Sequence, residues 1–261
     1  MDSLGEDLVL LSIRPEKGTV ATSQRIGFGL MGSELVRLAA AGRIDIQKGR
    51  ILVLEQAATG DADLDAALGS LVRSRRPARA TQWVGRPRRG LLETYLNRLV
   101  TAGAVRRESR FIGKRYFISN PARVADARAR LDAIAQSAGM VDTGQAAFGG
   151  LAHAVGLGDL LYRGRGARPM RKRLEEVAKG QWTAAAVSQA AANAARNATA
   201  ATDAASQAAI HAAAHAASQA ATHAATQAAT HAATRAATHA AIHAAHHQAA
   251  TQHHGGMGGH H

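Results

Sequence analysis

Apolar residues recur at helical intervals over most of the first 182 positions, broken by short runs that alternate or turn back on themselves. Residues 5–11 (GEDLVLL) read as the start of a short helix or strand, and a turn follows at Pro15-Glu16-Lys17-Gly18. Leu30, Leu35, Val36 and Leu38 share one helical face, and Gly42 stops that helix. Ile44-Asp45-Ile46, a Lys48-Gly49 turn and Ile51–Leu54 then carry the signature of a β-hairpin. Thr59-Gly60-Asp61 opens a helix to about Val72 with Leu64, Leu68 and Leu71 on one side, the Thr or Asp serving as its cap. An arginine-rich connector covers 73–89, a helix covers about 90–102 and stops at Gly103, and a second hairpin pairs Ala104–Arg110 with Tyr116–Ser119. Helices are expected at about 122–137, 144–156 and 168–182. The fold class is therefore mainly α, a compact helical domain with two small β-hairpins.

Composition changes abruptly after residue 182. From there nearly every residue is Ala, Thr, Gln, Ser or His, and the only large apolar side chains are Val187, Ile210, Ile242 and Met257. A core needs Leu, Ile, Val and Phe, so the expected division is a domain over 1–182 and a low-complexity tail, helical or disordered, over 183–261. The net charge of +13 divides the same way: Arg196, Arg235 and Asp203 give the tail +1, which leaves +12 on the domain. Such a surplus favours polyanionic partners. The chain has no Cys, which excludes disulfides and thiolate metal sites. Asp2, Glu6 and Asp7 stand where a secretory signal would be basic, and no run of about 18 strongly apolar residues exists. A cytoplasmic protein whose membrane contact is peripheral is the expectation.

Three motifs suggest chemistry and each has a plainer reading. Gly27-Phe28-Gly29-Leu30-Met31-Gly32 matches the dinucleotide fingerprint by letter, but no strand precedes it and a hairpin follows it, so close packing and a turn account better for the glycines. Asp61, Asp63 and Asp65 have the spacing that opens a calcium loop, yet its sixth and twelfth positions are Ala66 and Val72, which leaves the carboxylates as N-terminal helix charges. His153, in Leu151-Ala152-His153-Ala154-Val155, is expected to be a core histidine and not a general base. With no paired carboxylates or nucleophile constellation beside it, no enzyme, cofactor or metal site is expected in the domain. Arginine is the stronger signal: Arg73, Arg75, Arg76, Arg79, Arg86, Arg88 and Arg89 crowd one connector, and Arg163, Arg165, Arg168, Arg171, Lys172 and Arg173 form a second cluster. Guanidinium groups suit planar, bidentate contact with phosphate oxygens.

Several blocks, in order, resemble the Golgi phosphoprotein 3 family, in the manner of a bacterial-type member. They are Gly29–Leu35 running into Ala41-Gly42-Arg43-Ile44, Thr59-Gly60-Asp61 with Leu64–Leu68, Trp83 within Thr81–Val84, Leu99–Val105, and Leu151–Ala154. The resemblance covers roughly residues 5–182 and implies a helical core ringed by amphipathic helices, with a projecting hairpin. It also implies binding of phosphatidylinositol 4-phosphate through a Trp and several Arg, and contact with partner proteins. The positions corresponding to that pocket hold Thr22, Met31, Arg89 and Leu92, so only Arg89 matches, while Arg25, Arg86 and Arg88 lie close enough in sequence to substitute. The family's hairpin serves membrane insertion or self-association, and here Phe111, Ile112, Tyr116 and Phe117 would carry that part. The implied partner is an anionic phospholipid or phosphoinositide surface, with protein partners or a homo-oligomer besides.

A rival reading takes the helix at 90–102 and the basic hairpin after it as a winged-helix unit gripping nucleic acid. The connector before it, with Pro77 and Pro87, is a poor first helix for such a motif, so nucleic acid is disfavoured. In the tail a near-tetrapeptide pattern of Thr-His-Ala-Ala type walks about 40° around a helix per repeat and holds no coiled-coil seam. Twelve of the thirteen His lie there. His211/His215 and His239/His243/His247 have the i, i+4 spacing of weak candidate metal ligands.

Overall fold

The computed structural model describes residues 3–74, 76–109 and 113–209, with 219, 222, 226, 227, 229, 230, 233 and 234. Two helices form the centre. The first, α1 (Leu4–Ser12), is buried almost throughout, which settles the opening run as a helix. Its Gly5 is required by a close approach: a Cβ there would stand 2.4 Å from the ring of Tyr95. The second, α2 (Ser23–Ala40), is much longer than its leucine spacing suggested, because the Gly27–Gly32 segment lies within the helix and not in a turn. Gly29 and Gly32 face α7 (Thr143–Ala154) and the residues after it, and added Cβ atoms would meet Val155 Cγ1 at 2.5 Å and Leu151 Cδ2 at 2.9 Å. The glycines let two helix backbones approach, at a cost of about 1 kcal/mol each in helix propensity.

Around this pair pack α5 (Leu91–Thr101), α6 (Pro121–Gln136) and α7, and α9 (Arg168–Lys179) packs in turn on α6 and α7. Their boundaries follow local chemistry. Asn120 caps α6 with Pro121 in its first turn, and Asp142 and Gln145 close a reciprocal capping box on α7. Asp61 caps α3 (Ala62–Val72), accepting from the amides of Asp63 and Leu64.

Both expected hairpins form. The strands β3 (Ile44–Gln47) and β4 (Arg50–Val53) are joined through Lys48 and Gly49, both at positive φ, as a two-residue turn requires. The strands β5 (Val105–Ser109) and β6 (Lys114–Ile118) pair antiparallel with Val105 opposite Ile118. A third hairpin, β1 (Ile13–Arg14) with β2 (Thr19–Val20), was not expected, since two residues are too few to display alternation. Two five-residue helices, α4 (Ala80–Val84) inside the arginine-rich connector and α8 (Leu157–Leu161), are likewise too short for periodicity to reveal.

The compact unit extends to Asn197, and a helix over 182–197, α10, buries Ala184, Ala186, Val187 and Ala190. Packing therefore takes in residues that composition had placed in the tail. Small side chains suffice there because the opposing surface is also small: Ala184 and Val187 sit against Gly150 and Gly32. The remainder, from Ala198, forms a separate unit whose described residues are helical and exposed.

Candidate anion-binding site

At its N-terminal end α2 leaves its first backbone amides open. Thr22, the capping residue, is in the left-handed conformation (φ 48°), its side chain makes no capping bond, and no acidic residue occupies the first turn. The hydroxyl of Thr22 instead donates to the carbonyl of Val155 at 3.4 Å. Such an end carries about half a positive charge. Arg25 adds a full one, although a cation in the first turn opposes the helix dipole.

The loop 85–90 lies against the same end of α2, with Pro87 Cγ 3.5 Å from where a Cβ on Gly27 would be. Its arginines part ways. Arg88 turns inward and binds Glu34 through both terminal nitrogens, at 2.7 and 2.5 Å. The Glu34 side chain is fully buried, and Arg88 is 27% exposed. Burial pushes the Glu34 carboxyl above its ordinary range, against the opposing pull of Arg88. Burial by itself would lower Arg88, but the paired carboxylate holds it above its usual value. Arg88 is thus a strap that ties the loop to α2. Arg86 and Arg89 are exposed and form no ion pair or side-chain hydrogen bond among the described residues, and the same holds for Arg25.

These four residues are not gathered at one point. Residues 27 and 34 lie on one side of α2 and residues 25, 29 and 32 on nearly the opposite side, because each step turns about 100°. Arg86 and Arg89 therefore belong to a loop on the Gly27–Glu34 side of α2. Arg25 lies on the other, its guanidinium 3.4 Å from where a Cβ on Gly156 would stand. Of the positions matched to the family pocket, Thr22 is exposed at the helix end, Leu92 is half-buried, and Met31 is core, 2% exposed.

Around Asp61, by contrast, the arginines are ion-paired. Asp61 receives Arg37 at 2.9 Å and Arg98 at 2.7 Å, and Arg98 also reaches Asp63 at 2.5 Å. Burial alone would raise the Asp61 carboxyl, but the hydrogen bonds from Arg98 and Arg37 outweigh it and hold it well below the usual range. Asp65 accepts from the amide and hydroxyl of Thr59. The triple-Asp run thus serves as helix cap and ion-pair hub, and among the described residues no group of three His, Asp or Glu is placed to hold a metal ion. A cavity of about 360 Å³ is lined in part by the buried Asp7, which is ion-paired with Arg123 at 2.7 Å and Arg130 at 2.8 Å. His153 is half-buried in the last turn of α7, at the edge of the core and not within it.

On the projecting hairpin, Tyr116 is buried, and Phe117 packs on Gly18 with Arg106 stacked 4.9 Å from its ring. The Phe117 side chain is taken up by packing against the β1–β2 turn, and that of Tyr116 by the core. Phe111 and Ile112 lie outside the described residues, as do His211, His215, His239, His243 and His247. A recognition helix would have to present α5, but α5 buries Leu91, Tyr95, Leu96 and Leu99, and its outward Glu93 and Asn97 are bound by Lys114 and Arg107. Nothing among the described residues favours the nucleic-acid reading.

A mainly helical domain packed round a glycine-lined central helix that ends uncapped, with small antiparallel hairpins at its margin, defines the fold class. The model of the Golgi phosphoprotein 3 (GPP34) family matches residues 4–194, and the chain belongs to that family. No curated protein matches it. Family membership is consistent with an adaptor of the Golgi phosphoprotein kind. The match also reaches past residue 182 into α10, in keeping with the buried Val187 and Ala190.

Proposed function

We propose that this protein is a peripheral membrane adaptor without chemistry of its own, which binds the headgroup of an anionic phospholipid, such as a phosphoinositide, on a cytoplasmic membrane face. The reading rests on the open N-terminal end of α2, with Arg25 in its first turn and the exposed Arg86 and Arg89 on the loop that packs beside the helix. Unsatisfied amides, a helix dipole and three guanidinium groups without a partner among the described residues each favour negative charge. No helix among the described residues is long and apolar enough to cross a membrane, so the attachment proposed is electrostatic. Each basic residue close to an anionic leaflet contributes about 1 kcal/mol. Three of them give useful but reversible binding that partner proteins or self-association would reinforce.

Vesicle flotation tests this directly. The chain should float with vesicles containing phosphatidylserine or phosphatidylinositol 4-phosphate and not with zwitterionic ones, and it should shift duplex DNA more weakly at matched salt. Flotation that ignores anionic content would overturn the reading. Preference between the two anionic vesicles at equal charge decides whether the headgroup is read as a phosphoinositide.

A further inference from the structure

On the far side of α8 from Arg25, a groove of about 540 Å³ runs between that helix and the β1–β2 hairpin. It brings together Arg14 and Lys17 from the hairpin and Arg163, some 146 residues away along the chain, over Ile13, Leu160 and Leu161. A single acid, Glu16, lines it, so the groove has a net positive charge. Arg14 and Lys17 are exposed and unpaired among the described residues. Arg163 uses its Nε to donate to the carbonyl of Leu160, which leaves its terminal nitrogens open.

The geometry points to a second lipid-headgroup site in this groove, working alongside the one at the end of α2. This inference rests on the membrane reading above. Continuity supports it: Arg25 lies over Gly156, the residue that caps α8, and Leu160, Leu161 and Arg163 stand at the opposite end of the same five-residue helix. That span is about 7 Å at 1.5 Å per residue. The occupant is an anionic phospholipid of the bilayer that the first site touches. Its phosphate meets the three cations, and the glycerol end of the molecule meets the apolar floor. Two weak sites that engage one surface multiply their affinities without any new contact inside either.

The experiment uses the full chain, vesicles with graded phosphatidylserine, and four proteins: wild type, Arg14→Ala/Lys17→Ala/Arg163→Ala, Arg86→Ala/Arg89→Ala, and a charge-matched control, Arg76→Ala/Lys172→Ala/Lys179→Ala. All altered side chains reach solvent, so the folds should persist, and a thermal melt checks this. The groove variant should bind at least about ten-fold more weakly than the control, as expected for three basic residues near an anionic leaflet. Glu16→Gln should bind more tightly than wild type. A groove variant that binds like the control overturns the second site while leaving the first standing. If only the Arg86/Arg89 variant binds like the control, the first site falls and the groove remains. Millimolar inorganic phosphate that releases wild type and groove variant in equal proportion would also count against a bilayer lipid in the groove.

Discussion

Two sets of arginines in this molecule differ in what opposes them. Arg37, Arg98 and Arg88 are closed off by Asp61, Asp63 and Glu34, all at least partly buried, and they hold α2, α3, α5 and the 85–90 loop in register. Arg25, Arg86 and Arg89 meet no acid among the described residues and are exposed, Arg25 in the first turn of a helix end that is itself positive. Their sequence neighbourhoods look alike, and Arg88 and Arg89 are adjacent. The lesson is that a count of arginines marks anion affinity only after the ion pairs are subtracted.

The contrast can be broken most forcefully at Arg88. Arg88→Ala leaves the Glu34 carboxylate buried without its partner, and unfolding at pH 7 should become easier by about 3 kcal/mol. The pH dependence follows from the raised folded pKa of Glu34: its favourable share of stability is present below the unfolded value and is lost as pH rises through the folded one. Without Arg88 that folded value climbs further, so denaturant titrations should show the deficit shrinking towards pH 5. At Asp61 the sign reverses. Its folded pKa is lowered, so its contribution is present above the unfolded value and disappears as pH falls through the folded one. Asp61→Asn keeps a capping oxygen but removes the carboxylate shared by Arg37 and Arg98, and should cost about 2 kcal/mol at pH 7, a deficit that shrinks as pH falls below the unfolded value.

Smaller effects sharpen the other side of the comparison. Arg25→Glu exchanges an unfavourable first-turn charge for a favourable one, so the fold should gain about 0.5 kcal/mol while anionic-vesicle binding weakens. A more stable protein that binds less well is what a residue kept for function predicts. Salt should separate the sets too. Raising it from about 0.05 to 0.5 M should release the protein from vesicles and barely move its melting temperature, because exposed charges are screened far more than buried pairs.

Much of the scaffold was legible because local chemistry fixed it. The Lys48-Gly49 turn, the Asp61 cap and the leucine faces of α3 and α5 each carry their signal within a few residues. The hairpin β1–β2 and the helices α4 and α8 left no periodic trace at two to five residues, and α10 was hidden by its alanines, which pack only because Gly32 and Gly150 face them. At the candidate site, the arginine-rich loop was legible but the direction of each side chain was not. Glu34 lies 54 residues from Arg88 within an unremarkable Gly-Ser-Glu-Leu run, and nothing local announces that Arg88 will turn inward to it while Arg86 and Arg89 turn out. Arg14 and Lys17 carried no signal at all until the fold set them beside Arg163.

The central claim is that the unopposed arginines beside α2, and not basic charge in general, make the membrane contact. Vesicle sedimentation and thermal melting of Arg86→Ala/Arg89→Ala, run beside the control that removes Arg76, Lys172 and Lys179, test it most directly. The account predicts melting within about 0.5 kcal/mol of wild type for both proteins and a loss of anionic-vesicle binding of about ten-fold for the first alone. Equal binding by the two variants would contradict it.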